Sequence, residues 1–190
     1  MILERSLTFI RDQLDLYLKQ RAGVETDRVA LSELLKQNGD IAIDMNTVGI
    51  ALVNIEEERI GKQQEPYQKI DQGTIFRANP EIRVNLFLLF VARFSKYDEA
   101  VKAVSNVISF FQGRNVFERT QYPTMDPSID KLIFEMQTMN FEQMNHLWGA
   151  LGAKYMPSVL YKMRMLTIRE EEIQAEVLPV KSVNINKKSN

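Results

Sequence analysis

One histidine, no cysteine and a few runs of carboxylates are all that this sequence of 190 residues sets out for chemistry. A serine hydrolase needs a base to take the hydroxyl proton, and the only base of that kind is His146, which lies beside Leu147 and Trp148 in a helical pattern with no Gly-x-Ser-x-Gly turn in the chain. The absence of cysteine removes disulfides, thiolate nucleophiles and thiolate metal sites together. Gly61-Lys62 has the ending of a phosphate loop, but no glycine stands five residues earlier and Gln63 replaces the metal-binding hydroxyl. No Gly-x-Gly-x-x-Gly follows a strand pattern. Glu56, Glu57 and Glu58 could bind a hard cation, yet on a strand the first and third point one way and the second the other, so they cannot converge on one ion. They are expected to form a solvated or ion-pairing strand end, and Glu170, Glu171 and Glu172 to end the last strand in water. The chain is therefore expected to be no enzyme and to need no cofactor or metal.

Charge excludes two further partners. With 24 Lys+Arg against 25 Asp+Glu, the net charge of -1 gives no long-range pull on phosphates. The basic residues Lys62, Lys69, Arg77, Arg83, Arg93, Lys96, Lys102 and Arg114 are scattered over several elements, whereas a nucleic-acid groove gathers them with aromatics between. The longest apolar run, Leu86 to Ala92, is far short of the ~20 residues of a spanning helix. Met1-Ile-Leu-Glu-Arg-Ser-Leu breaks its apolar residues with an acid and a base, unlike a signal peptide, so synthesis in the cytoplasm is expected. Neither nucleic acid nor membrane is expected as a partner.

Periodicity supplies the elements. Leu3, Leu7, Ile10, Leu14 and Tyr17 make a helical stripe that Gly23 stops. Ile41, Ile43 and Met45 alternate with Ala42 and Asp44 as in a strand, and Val48 to Ile55 reads as a second strand after a turn at Asn46-Thr47. The polar stretch Gly61 to Pro80 is a long connection. Ile82 to Ala92 alternates and then becomes apolar on both faces, as a central strand does. Ser95 and Asp98 suggest a capping box for a helix carrying Tyr97, Val101, Val104, Ile108 and Phe111 up to Gly113. After the Tyr122–Pro127 loop, Leu132, Phe134 and Met136 mark a strand, and Asn140 with Gln143 caps a short helix that ends at Gly152. Tyr161 to Ile168 is the last strand.

The order predicts an α+β domain over residues 1–169, with a mainly antiparallel sheet of four or five strands and three helices, and an extended tail over 170–190. Within that tail Val180, Val183 and Ile185 are too few for a core and are candidates for docking on a partner as an added strand. Trp148, Tyr155, Tyr161 and Phe117 fall near element ends, where either core packing or a subunit interface recruits aromatics.

Several short motifs occur together in a fixed order: Val53-Asn-Ile-Glu-Glu-Glu58, Asn79-Pro80 leading into Val84-Asn-Leu-Phe-Leu-Leu89, Leu147-Trp148, and Tyr155-Met-Pro-Ser-Val159 before Tyr161. In this composite, from about Leu3 to Ile168, the chain resembles the cap proteins of extracellular contractile injection particles of the antifeeding-prophage and virulence-cassette type, which are themselves similar to phage tail terminators. The resemblance implies a homo-hexameric ring seated on the last layer of the inner tube, and on the sheath around it, at the end far from the baseplate, where it stops polymerisation and fixes length. Its partners would be further copies of itself, the tube protein and the sheath protein, on a particle that can be released from the cell. Carried over residue by residue, Glu56, Glu57, Glu58, Asn79, Pro80, Trp148, Tyr155, Pro157, Ser158 and Tyr161 are the candidate motif or inter-subunit positions. Longer family members carry a C-terminal extension, and here the tail is the candidate sheath contact. A transient assembly adaptor or chaperone for tube or sheath subunits is the alternative.

Overall fold

Residues Ile82–Arg93 form a strand whose two faces are both apolar, and the rest of the molecule is arranged to cover them. The structure, a computed structural model, describes residues 1–58, 67–71, 74–78, 82–168 and 176–177. In chain order the elements are α1 (Ile2–Ala22), β1 (Val29–Leu31), β2 (Thr47–Glu57), β3 (Tyr67–Asp71), β4 (Thr74–Ala78), β5 (Ile82–Arg93), α2 (Tyr97–Gly113), β6 (Val116–Glu118), β7 (Lys131–Gln137), α3 (Phe141–Ala150), β8 (Ser158–Ile168) and β9 (Glu176–Val177). The main sheet has six strands in the order β1-β2-β5-β8-β7-β6, antiparallel except for the β1–β2 pair. The hairpin β3–β4 pairs with β9 in a three-stranded sheet of its own. The fold is the expected α+β domain with three helices. The sheet is wider than expected because β1 and β6 are too short to show a period.

Alternation along β5 divides the interior in two. Leu86, Leu88, Phe90 and Ala92 face α1 and α2, where they meet Phe9, Ile10, Leu14, Val107, Phe111, Phe117 and Phe134. Phe111 stacks on Phe134 at 4.6 Å and Phe90 meets Tyr161 edge-on at 5.7 Å. Leu89 and Val91 face the other way, into a second core with Leu34, Ile43, Ala51, Leu160 and Trp148 of α3. Each such side chain, fully buried, contributes about 1.5–3 kcal/mol. The apolar run that looked central is central, and it is dry on both sides.

The helix ends follow the expected signals in two cases of three. Gly23 takes φ 65° and donates its N–H to Lys19, closing α1. Asn140 accepts from the Gln143 N–H while the Gln143 side chain accepts from the Asn140 N–H, a complete capping box for α3. The Ser95 box does not form. α2 starts from Lys96 with no side-chain cap, and the Ser95 N–H instead donates to Asn46 Oδ1 at 3.3 Å.

The expected strand over Ile41 to Met45 is also absent. This segment is irregular, with one bridge between Leu35 and Ile41. Its alternation has another cause, since Ile43 is fully buried as a plug in the second core and Ile41 packs beside it. β1 escaped notice because a side chain outside it makes it. The Asp15 carboxylate on α1 accepts from the N–H groups of Arg28 and Val29 at 2.6 and 2.9 Å, and fixes the entry of β1 beside β2.

Ile43 lies so flat on β2 that a Cβ at Gly49 would stand 2.6 Å from its Cγ1. Gly49→Ala should therefore cost about 1–3 kcal/mol by overpacking, read as a lower urea midpoint, and an unchanged midpoint would show that Ile43 can yield. A second expectation concerns pH. The Ser128 hydroxyl and N–H, followed by Arg5 of α1, hold the Asp126 carboxyl down at about 2 from its ordinary 3.8. The group is depressed on folding, so the stability it contributes is complete above its unfolded value and is lost as pH falls from about 4 through about 2. Asp126→Asn should flatten the fall in melting temperature between pH 4 and 2, and an equally steep fall in the variant would place the acid sensitivity elsewhere.

Candidate assembly surface

Strand direction gives the sheet two ends of different chemistry. At the first end Glu57 pairs with Val84 and Ile82 with Ile168. At the second Thr47 pairs with Arg93, Val91 with Ser158, and Gln137 with Leu160.

The acidic motif sits toward the first end and is joined to cations across the sheet. Glu56 accepts from Lys162 of β8 at 2.9 Å, and the Lys162 ammonium also lies over the Phe87 ring at 5.4 Å. Glu58 accepts from the Asn85 amide at 3.1 Å and lies 3.5 Å from Arg164, which donates to Glu135 of β7 at 3.0 Å. Glu135 first, with Glu58 adding to it, raises the Arg164 guanidinium above its ordinary value. Such partly exposed pairs add little stability, but a linked row of them fixes the direction of long side chains. Asn85 is buried, with Oδ1 unpaired among the described residues, beside the register shift between Val84 and Leu86. Glu56 and Glu58 thus face cations of their own chain, and among the described residues no group of three possible ligands gathers to hold a metal. Asn79, Pro80, Glu170, Glu171, Glu172, Val180, Val183 and Ile185 lie outside the described residues.

The aromatic motif residues separate. Tyr161 belongs to the first core, 4.4 Å from Phe111, and burial pushes its hydroxyl up from the ordinary tyrosine value. Trp148 is 5% exposed in the second core. Phe117 is fully buried. Pro157 accepts the Ala92 N–H at 2.9 Å, and with Ser158 it carries the β5–β8 pairing to its last rung. Tyr155 alone is at the surface, 59% exposed, with its ring edge-on to Trp148 at 5.6 Å. His146 is exposed on α3.

The second end carries further exposed apolar residues, among them Tyr97, which the sequence pattern sets on the apolar stripe of α2, and Met45, which is 51% exposed. The Asn46 N–H bonds the Arg93 carbonyl and its side chain takes the Ser95 N–H, so Met45 and Tyr97 flank the same junction. Tyr97 is 74% exposed. Phe141, which opens α3 shortly after β7 ends, is 87% exposed. Tyrosine, phenylalanine and methionine set among polar residues are the composition of a protein contact.

The chain belongs to the Pvc16 N-terminal domain family, whose model matches residues 7–182. Two solved structures share its fold. One is a PVC sheath/tube terminator of an extracellular contractile injection system in the extended state, with TM-score 0.54 and 17% identity over 95% of this chain. The other is the anti-feeding prophage cap, described as a tube-terminating cap, with TM-score 0.59 and 16% identity over 94% of this chain. The chain spans 63% and 60% of the length of those two proteins. Among curated proteins no relative matches.

Trp148→Ala should lower stability by about 3–5 kcal/mol as a core truncation, whereas Tyr155→Ala should stay within about 0.5 kcal/mol. Equal losses in urea unfolding would mean that Tyr155 is part of the core and not a surface group.

Proposed function

We propose that this chain is a structural cap of a contractile injection particle, which closes the far end of the inner tube and sheath as a homo-hexameric ring and so ends polymerisation. The observation that carries the proposal is family membership across residues 7–182, together with a fold shared with two terminators over nearly the whole chain. The chemistry of the surface agrees with it. Carboxylates that could have served catalysis are paired with Lys162 and Arg164, and exposed Tyr97, Phe141 and Tyr155 suit contact with another protein. A ring of identical subunits needs two different complementary surfaces on each copy, and a sheet with unlike ends supplies a pair. Among the described residues, no helix is long and apolar enough to cross a membrane. On this proposal the protein is a soluble particle component with no enzymatic step. The tail over 170–190 is the proposed sheath contact, through Val180, Val183 and Ile185.

Deletion of the gene should give overlong, ragged or sheathless tubes in electron micrographs, restored to one length by the full chain. Particles of normal length without the protein would overturn the cap and leave an adaptor or chaperone, which would also be missing from purified particles. Truncation after Val177, which keeps Glu170–Glu172 and removes Val180, Val183 and Ile185, should leave the tube capped but loosen the sheath. Normal sheath attachment in the truncated protein would remove the tail from that role.

A further inference from the structure

At the second end of the sheet, where β5 runs out, a cleft of about 590 Å³ is lined by Leu35, Lys36, Ile41, Arg93, Lys154 and the carboxylate of Asp40. Its charges do not balance. The Arg93 guanidinium donates to the backbone carbonyls of Ile41, at 3.2 Å, and Ile43, and among the described residues it meets no carboxylate. Lys36 and Lys154 are exposed, and no ion pair engages either of them among the described residues. Asp40, the one acid present, accepts from its neighbour Asn38 at 2.8 Å. A half-buried guanidinium whose hydrogen bonds go to neutral carbonyls gains from an added carboxylate, because charge-assisted bonds are about twice as strong as neutral ones. Donors thus outnumber acceptors in a cavity that also has apolar walls, which fits a carboxylate-bearing peptide.

We propose that the cleft receives the glutamate run Glu170–Glu172 of a second copy of this chain. The proposal rests on the ring assembly above and names its contact. Two facts select this occupant. First, charge and flanks agree: the run reads Ile168-Arg-Glu-Glu-Glu-Ile173, with three carboxylates for Lys36, Arg93 and Lys154 and isoleucines for the Leu35–Ile41 wall. Second, the run cannot serve its own cleft. β8 leaves from Ser158, beside the cleft, and its 11 residues carry the chain roughly 35 Å to Ile168 at the opposite end. Glu172 follows only four residues later, too few to return at ~3.5 Å each. The contact must be made between copies, head to tail, which is the kind a closing ring uses.

Trp148, the only tryptophan, packs on Tyr155 next to Lys154 and reports on the cleft. The probe is a synthetic peptide of residues 168–175, added at low salt to the full chain carrying E170Q/E171Q/E172Q so that its own run does not compete. We expect a saturable change in Trp148 emission, weakened at least tenfold when the peptide glutamates are glutamines or when the chain also carries K36E/K154E. Equal binding of the glutamine peptide, or no binding at millimolar peptide, would overturn the assignment. In the otherwise wild-type chain K36E/K154E, both exposed positions, should keep the melting midpoint and lose the ring, and adding E170K/E171K/E172K should restore it. A ring that survives K36E/K154E would overturn the contact while leaving the ring itself established. Specific peptide binding by a protein that never forms a ring would support the cleft and count against the ring.

Discussion

Burial of β5 on both faces is the constraint from which the architecture follows. A strand with one wet face would need a single covering layer, but Leu86, Leu88 and Phe90 on one side and Leu89 and Val91 on the other are all dry, so both sides must be roofed. α1 and α2 cover the first side. The second is covered by α3 and by the irregular segment through Leu34 and Ile43. A loop can do the work of a helix here because Gly49 lets Ile43 lie against bare backbone, and because Arg93 donates to the carbonyls of Ile41 and Ile43 that the loop leaves without strand partners. The strand that demands two roofs thus also supplies, at its last residue, a tie for the weaker one.

Much of this was legible from patterns with a physical period. The two-sided apolar run of β5, the four-three stripe of α1 and the Asn140–Gln143 box of α3 each encode their own geometry within a dozen residues. What escaped was made by distant partners. β1 has only three residues and exists beside β2 because Asp15, fourteen residues before Val29, caps its entry. Ile41, Ile43 and Met45 alternate as a strand would, yet Ile43 plugs a core with Ile41 beside it while Met45 stays exposed. Ser95 has the residue type of a cap, but Asn46 already holds its N–H. At the candidate surface, residue type could not tell Trp148, Tyr155 and Tyr161 apart, since an aromatic serves core and interface equally well. Only the direction of β8 and the position of α3 place two inside and one out. The cationic cleft was less legible still, because Lys36, Arg93 and Lys154 come from three separate segments and form no motif.

The same sheet also has a definite polarity. Antiparallel strands have no strong dipole of their own, so a difference between the two ends must come from side chains. Here Glu56, Glu58 and Glu135 interlock with Lys162 and Arg164 across β2, β8 and β7, which uses up their charge locally. Toward the other end Arg93 spends its hydrogen bonds on carbonyls and keeps its charge. At one end acids are held by cations of their own sheet, and at the other Lys36, Arg93 and Lys154 have no carboxylate partner among the described residues. A subunit that joins identical copies head to tail needs that inequality, because each copy must offer one surface and accept a different one. On the proposed function, the asymmetry that lets a ring close therefore lies in which carboxylates find a cation within their own sheet and which cations do not find a carboxylate.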